Sequence, residues 1–276
     1  MKVLLNYASP GWKWRQRLNS ITGKWIAGFD KVIEEGPESI EQSFSEENKA
    51  ILLSKRGNGY WLWKPYLINK HLSLLQDGDY LFYCDSGSFF TGSINKLIQA
   101  LERTGQDVMV FDLPFVERQY TKADAFKQLG CDTEIFQSSN QRLATFVLLK
   151  KSAESLKLAK EYLKLCCDRN VISDDLSVVA NAPDFIDHRH DQSVLSLLSK
   201  KYRLASFRDP SQYGRHPYSY RRAGAILQVV QHNNSNYPTT LILYRNLNPI
   251  VCYFKTKIKD LLLVSRTGGI TKKFYK

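Results

Sequence analysis

Apolar positions recur along this chain in two rhythms. Short continuous runs alternate with stretches in which apolar residues return every three or four positions, the marks of buried strands and amphipathic helices respectively. The runs predict strands over 2–7 (KVLLNY), 29–33, 80–84 (YLFYC), 107–111, 143–149 (LATFVLL) and 203–207. The helical spacing predicts helices over 39–53, 61–75, 93–103, 121–129, 153–167 and 191–202. Turn-forming residues punctuate them, with Ser9, Pro10 and Gly11 after the first run and Asp77, Gly78 and Asp79 before the third. Such alternation implies an α/β fold, a mostly parallel sheet flanked by helices. Ligands of these sheets bind beyond the carboxyl ends of the strands, so the residues after 80–84 are the first place to look for a site. No linker interrupts the pattern, and the expected organisation is one domain over 1–224 followed by an extension over 225–276.

Composition narrows the class. With 43% apolar and 24% charged residues over 276 positions, the chain can bury a core, which excludes disorder. No stretch approaches the ~18 apolar residues that span a bilayer. The first apolar run is too short for a signal peptide. Five cysteines without CxxC spacing argue against a disulfide framework or a structural zinc site, and a cytoplasmic location is expected. The net charge is +12, and residues 245–276 carry eight basic side chains against Asp260 alone. That excess favours anionic partners: nucleic acid, phosphorylated substrates or an anionic membrane face.

Three segments hold candidate chemistry. Asp85 follows the strand 80–84 directly and precedes Ser86 and Gly87. A carboxylate there can bind a ribose or a divalent ion, or it can simply open a turn. His188, Arg189, His190, Asp191 and Gln192 stand together before an apolar helix. They offer imidazoles, a fixed cation, a carboxylate and an amide to a phosphate-bearing substrate, although Asp191 alone also suits a helix N-terminus. The alternate histidines are a weak metal pattern. In GYWLWKPYL the aromatics, Trp61 and Trp63 included, are expected to pack, whereas Lys64 needs solvent or an anion for its amine and is expected to meet substrate. No GxGxxG, Walker or GxSxG pattern is present, which disfavours dehydrogenases, P-loop enzymes and serine hydrolases.

GYWLWKPYLI, GDYLFYCDSG, RLATFVLLKKS, HRHDQSVLSLL and FRDPSQYG, in that order, resemble a family of bacterial glycosyltransferases from capsule and lipooligosaccharide gene clusters. The similarity covers about residues 1–215. It implies a GT-A (Rossmann-like) fold and transfer of a sugar from a nucleoside-diphosphate sugar to a hydroxyl of a surface-glycan or lipid-linked acceptor. In that fold the carboxylate after the central strand opens an Asp-x-Asp motif that holds Mn²⁺ or Mg²⁺ on the diphosphate. Asp85 fits its first position, but Gly87 stands at the second, which leaves metal dependence open. The resemblance places Asp191 and Gln192 near the transferred sugar, with Asp191 as base or positioning group and His190 as its alternate. Asp85, Ser86, Gly87, Lys64, Arg142, Arg189 and His188 are the expected nucleotide-sugar contacts.

Two other classes compete. A nucleic-acid-binding module would use the basic excess, but no helix-turn-helix, RNA-recognition or zinc-finger signature accompanies it. Loss of the second Asp would also permit an inactive scaffold of the same fold. Finally, Ile250, Phe254, Ile258 and Leu261 form a stripe flanked by Lys255 and Lys259 and followed by Arg266, Lys272, Lys273 and Lys276. As a helix this stripe either packs on the domain or seeks an anionic membrane, giving peripheral attachment at the cytoplasmic face of the inner membrane.

Overall fold

In the computed structural model, residues 1–220 and 222–267 are described, with side chains to Leu262. The side chain of Arg266, and Lys272, Lys273 and Lys276, lie outside the described residues. The main strands are β1 (Lys2–Tyr7), β2 (Lys31–Glu35), β3 (Tyr80–Cys84), β5 (Val108–Val116), β6 (Asn140–Lys150) and β7 (Ser206–Arg208). They form one six-stranded sheet in the order β2-β1-β3-β6-β5-β7, and β4 (Ser88–Phe90) and β8 (Leu241–Leu243) make a separate antiparallel pair. β6 runs antiparallel to both its neighbours, β3 and β5, while the other adjacent pairs are parallel. The sheet is therefore mostly parallel, with one reversed strand at its centre.

Successive side chains of a strand point to opposite faces, and here both faces are covered. Val3, Leu5, Leu81 and Tyr83 enter one core with α2 (Trp63–Ser73), α4 (Ala153–Cys166) and α5 (Asp191–Lys201). Leu4, Phe82 and Cys84 enter the other with α3 (Asn95–Glu102) and the β4–β8 pair. The apolar face of α3, including Leu97 and Leu101, is fully buried there, each leucine stabilising the fold by about 1.5–3 kcal/mol.

The differences from the expected elements have physical causes. β5 continues past Phe111 through Asp112 and Pro114, and its register with β6 shifts twice, so bulges absorb the residues that would break a regular ladder. The helix expected over 39–53 is divided into Gln42–Glu47 and Lys49–Leu52 at Asn48. β2 begins two residues later than expected because Phe29 leaves the edge to fill the second core.

Helix α1 (Lys13–Thr22) was not legible at all. Its buried side is polar, with Gln16, Asn19 and Ser20, and Asn19 bonds Asn6 and Ser88, while Trp14 and Ile21 face outward. The C-terminal helix α6 (Pro249–Thr267) shares this inversion. Asp260 joins it to Arg215 at 2.8 Å and His216 at 2.9 Å, whereas Ile250, Phe254, Ile258 and Leu261 are each more than half exposed. Between residue 224 and α6 the chain returns to the domain: Tyr237, Leu241 and Leu243 lie in the second core.

Candidate functional site

A cleft of about 510 Å³ opens where β1 and β3 end, lined by Tyr7, Asp85, Thr145, Asp191 and Arg245 among others. The loop 57–61 shapes one wall. Asn58, Gly59, Tyr60 and Trp61 all have positive φ, and a Cβ on Gly59 would lie 2.7 Å from the Leu52 backbone. Only glycine allows that approach. The turn delivers Trp61 to the cleft and starts α2, whose Trp63 stacks on Tyr7 at 3.8 Å and donates from Nε1 to the Gly57 carbonyl.

Lys64, in the first turn of α2, is almost wholly buried. Its Nζ lies 2.9 Å from Asp191 Oδ2, 3.6 Å from Asp85 Oδ1 and 3.2 Å from the Ala144 carbonyl oxygen. The anion that this lysine requires is thus supplied by the protein. Burial alone would lower the Lys64 pKa, but the two carboxylates raise it, so the amine stays charged.

The two carboxylates share a pattern. Tyr83 donates to Asp85 Oδ1 at 2.7 Å, the oxygen that faces Lys64. Tyr162 donates to Asp191 Oδ2 at 3.2 Å, again the oxygen that faces Lys64. No hydrogen-bond partner among the described residues engages Asp85 Oδ2 or Asp191 Oδ1. Each carboxylate is held by one oxygen, and both residues line the cleft. Asp85 is the shallower, its side chain 35% exposed against 4% for Asp191. Burial pushes the Asp191 pKa up to about 6, with Lys64 opposing.

The other expected residues have specific placements. Ser86 donates its hydroxyl to the Tyr7 carbonyl, and the Gly87 carbonyl accepts from the Tyr244 and Arg245 amides, both at 2.9 Å. His188 bridges the Lys122 amide at Nδ1 and the Val171 carbonyl at Nε2, and burial together with His190 holds it neutral. His190 donates from Nδ1 to the Ile172 carbonyl, lies stacked beside Tyr60 and Trp61, and keeps a buried Nε2 without a hydrogen-bond partner. Gln192 is fixed at both ends, accepting from the Ala144 amide and donating to Gln141. The Arg189 guanidinium lies 4.2 Å over the Tyr120 ring.

Arg142 is not brought to the cleft. It is directed under α5, donating to Ser199 Oγ and the Leu204 carbonyl and facing Asp112 at 3.7 Å. Two arginines of the cleft, Arg56 and Arg245, and one buried partner of Asp191, Tyr162, were not expected from the sequence. Arg56 is bonded to Asp174 and Asp187, Tyr162 reaches in from α4, and Arg245 counted only as tail charge.

No family model and no curated protein matches the chain. Among solved structures it is similar to a galactosyltransferase, LgtC, in complex with donor and acceptor sugar analogues. The identity is 13%, the TM-score 0.51, and the match covers 95% of this chain and 96% of that one. It is also similar to the apo form of mouse xyloside xylosyltransferase 1, at 11% identity and TM-score 0.46, over 88% of this chain and 97% of that one. The likeness to the galactosyltransferase, together with the sheet order, establishes the GT-A fold.

Proposed function

We propose that this protein is a glycosyltransferase that moves a sugar from a nucleoside-diphosphate sugar to a hydroxyl of a glycan acceptor. One observation carries the reading: two carboxylates, each anchored through a single oxygen, present the other oxygen to a cleft at the carboxyl ends of the strands. The solved galactosyltransferase of this fold holds donor and acceptor sugar analogues, which supports the same ligand class here.

In the proposed reaction the acceptor oxygen bonds to the anomeric carbon as the bond from that carbon to the diphosphate oxygen breaks. The diphosphate leaves with the electron pair, and the acceptor proton passes to Asp191 Oδ1. A base with a pKa near 6 is ionised at neutral pH and still close enough to that pH to work efficiently. Lys64 is a positioning residue that fixes both carboxylates, and Asp85 orients the donor from the shallower level. Trp61 and Tyr7 offer aromatic surface to sugar or base rings.

The acceptor we propose is a surface glycan on a lipid carrier, reached by docking on an anionic membrane. Helices α1 and α6 both turn apolar side chains outward, and a groove lined by Leu18, Ile26, Phe89, Ile250 and Tyr253 joins them. Exposed Lys24, Lys255, Lys257 and Lys259 lie on the same segments, and each basic group near anionic lipid is worth about 1 kcal/mol. No helix among the described residues is long and apolar enough to cross a membrane.

The deciding experiment incubates the protein with a panel of nucleotide sugars and measures nucleoside-diphosphate release. Release from one donor, lost in Asp191→Asn, is the expected result. No release from any donor, or an unaffected variant, overturns the proposal. Sedimentation with anionic vesicles tests the surface, where Phe254→Ser/Ile258→Ser must release the protein if α6 docks.

A further inference from the structure

We propose that this chain binds the donor diphosphate through two arginines, Arg189 and Arg245, rather than through a divalent ion. The inference rests on the nucleotide-sugar reading and specifies how that site meets its anion.

The charges of the cleft are mostly engaged within the protein. Lys64 is held by Asp191 and Asp85, and Arg56 by Asp174 at 3.1 Å and Asp187 at 2.9 Å. His188 and His190 are buried with depressed pKa values and stay neutral. Among the described residues that line the cleft, two cations are left. Neither Arg189 nor Arg245 forms an ion pair with a carboxylate among the described residues, and both line the cleft. Arg189 rests its guanidinium face on Tyr120, with Phe115 5.2 Å away, an arrangement that leaves the N–H edge free to donate. Arg245 is fixed through its backbone: its amide donates to the Gly87 carbonyl, its carbonyl accepts from Arg15 Nε at 2.9 Å, and its φ is +48°. Its side chain remains exposed. Both arginines line the one cleft, and Tyr220 lies within electrostatic reach of each. Two guanidinium forks match the paired anionic centres of a diphosphate, each able to take two oxygens at once.

The donor set does not fit the divalent ion that the fold implies. A Cβ on Gly87 would lie 3.2 Å from the Arg245 Cα, a tight contact, so a second aspartate there would press on the backbone of Arg245. Asp85 is a single carboxylate with one oxygen already taken by Tyr83 and Lys64. Among the described residues no group of three or more His, Cys, Asp and Glu could hold a metal ion. Gly87, at the position of the second Asp, is in close contact with the strand end that brings Arg245.

The test is calorimetric titration of the full chain with inorganic pyrophosphate, in EDTA and then in Mn²⁺. Binding in EDTA that Mn²⁺ does not tighten is expected, weakened about tenfold or more in Arg245→Gln and in Arg189→Gln. Because the Arg245 side chain is exposed, that variant folds and carries the test if Arg189→Gln does not. Binding only with Mn²⁺, or Arg245→Gln binding like the native chain, overturns the clamp. Donor hydrolysis that needs Mn²⁺ would sink the clamp and leave the transfer reading standing. Pyrophosphate binding through both arginines without turnover of any nucleotide sugar would do the reverse.

Discussion

Two ion-pair networks meet β6 and helix α5, and they differ in one respect. Around Lys64, Asp191 and Asp85 each offer one oxygen to the protein and one to the cleft. Around Lys200, Glu117 is closed on every side. One of its oxygens takes Lys200 and Ser196, and the other takes Thr121 at 2.5 Å and Gln141 at 3.2 Å. Arg142 and Asp112 adjoin this network, with Ser206 and His232 bonding Asp112, although the buried Nε of Arg142 has no hydrogen-bond partner. A fully satisfied buried network rigidifies a core, whereas one with an open direction can bind or react. The same residue types are closed in one place and, on the proposed function, reactive in the other, and the carboxylate oxygens left without a hydrogen bond tell them apart.

The strongest way to break that comparison is to neutralise the open pair. Asp191→Asn removes the proton acceptor and is expected to lower kcat by about 10²–10⁴-fold, measured as transfer per folded molecule. Loss of activity in step with loss of folded protein would place Asp191 with the closed network. Glu117→Gln supplies the counterpart. It strands Lys200 without its charge partner and should cost about 3–5 kcal/mol in urea unfolding, with turnover of the folded fraction unchanged. A fall in kcat at full stability would give Glu117 a part in the chemistry.

Titration sharpens the contrast. The folded-state pKa of Asp191 is raised to about 6, so the carboxylate accepts protons, and would lose its proposed function as a base, as pH falls through that value. The kcat profile should drop about tenfold per pH unit below 6, and a flat profile from pH 5 to 7 would exclude Asp191 as the base. The smallest effect belongs to Gly87→Ala. Its new methyl presses on the Arg245 backbone and should cost about 1–3 kcal/mol while weakening pyrophosphate. Unchanged stability together with unchanged pyrophosphate affinity would separate Gly87 from the placement of Arg245.

Local rhythm in the sequence determined a good deal. Continuous apolar runs marked β1, β3 and β6 because these strands are covered on both faces, and Asp85 could be placed at a strand end from its neighbours alone. The cluster from His188 to Gln192 was legible as the start of a helix, and all nine residues expected to bind donor or perform chemistry besides Arg142 line one cleft. Tertiary structure alone decided the partners. Nothing near Lys64 in the chain predicts Asp191, nothing near Arg142 predicts Ser199 and Leu204, and Arg245 reaches the cleft only because β8 pairs with β4. Helices α1 and α6 present apolar side chains outward: α1, with a polar buried side, gave no legible pattern, and the stripe of α6 was legible but its direction was not encoded locally. The reason is physical. Periodicity records which positions share a face, while the charge that meets a buried ammonium, and the side on which a carboxylate stays open, depend on contacts between distant segments.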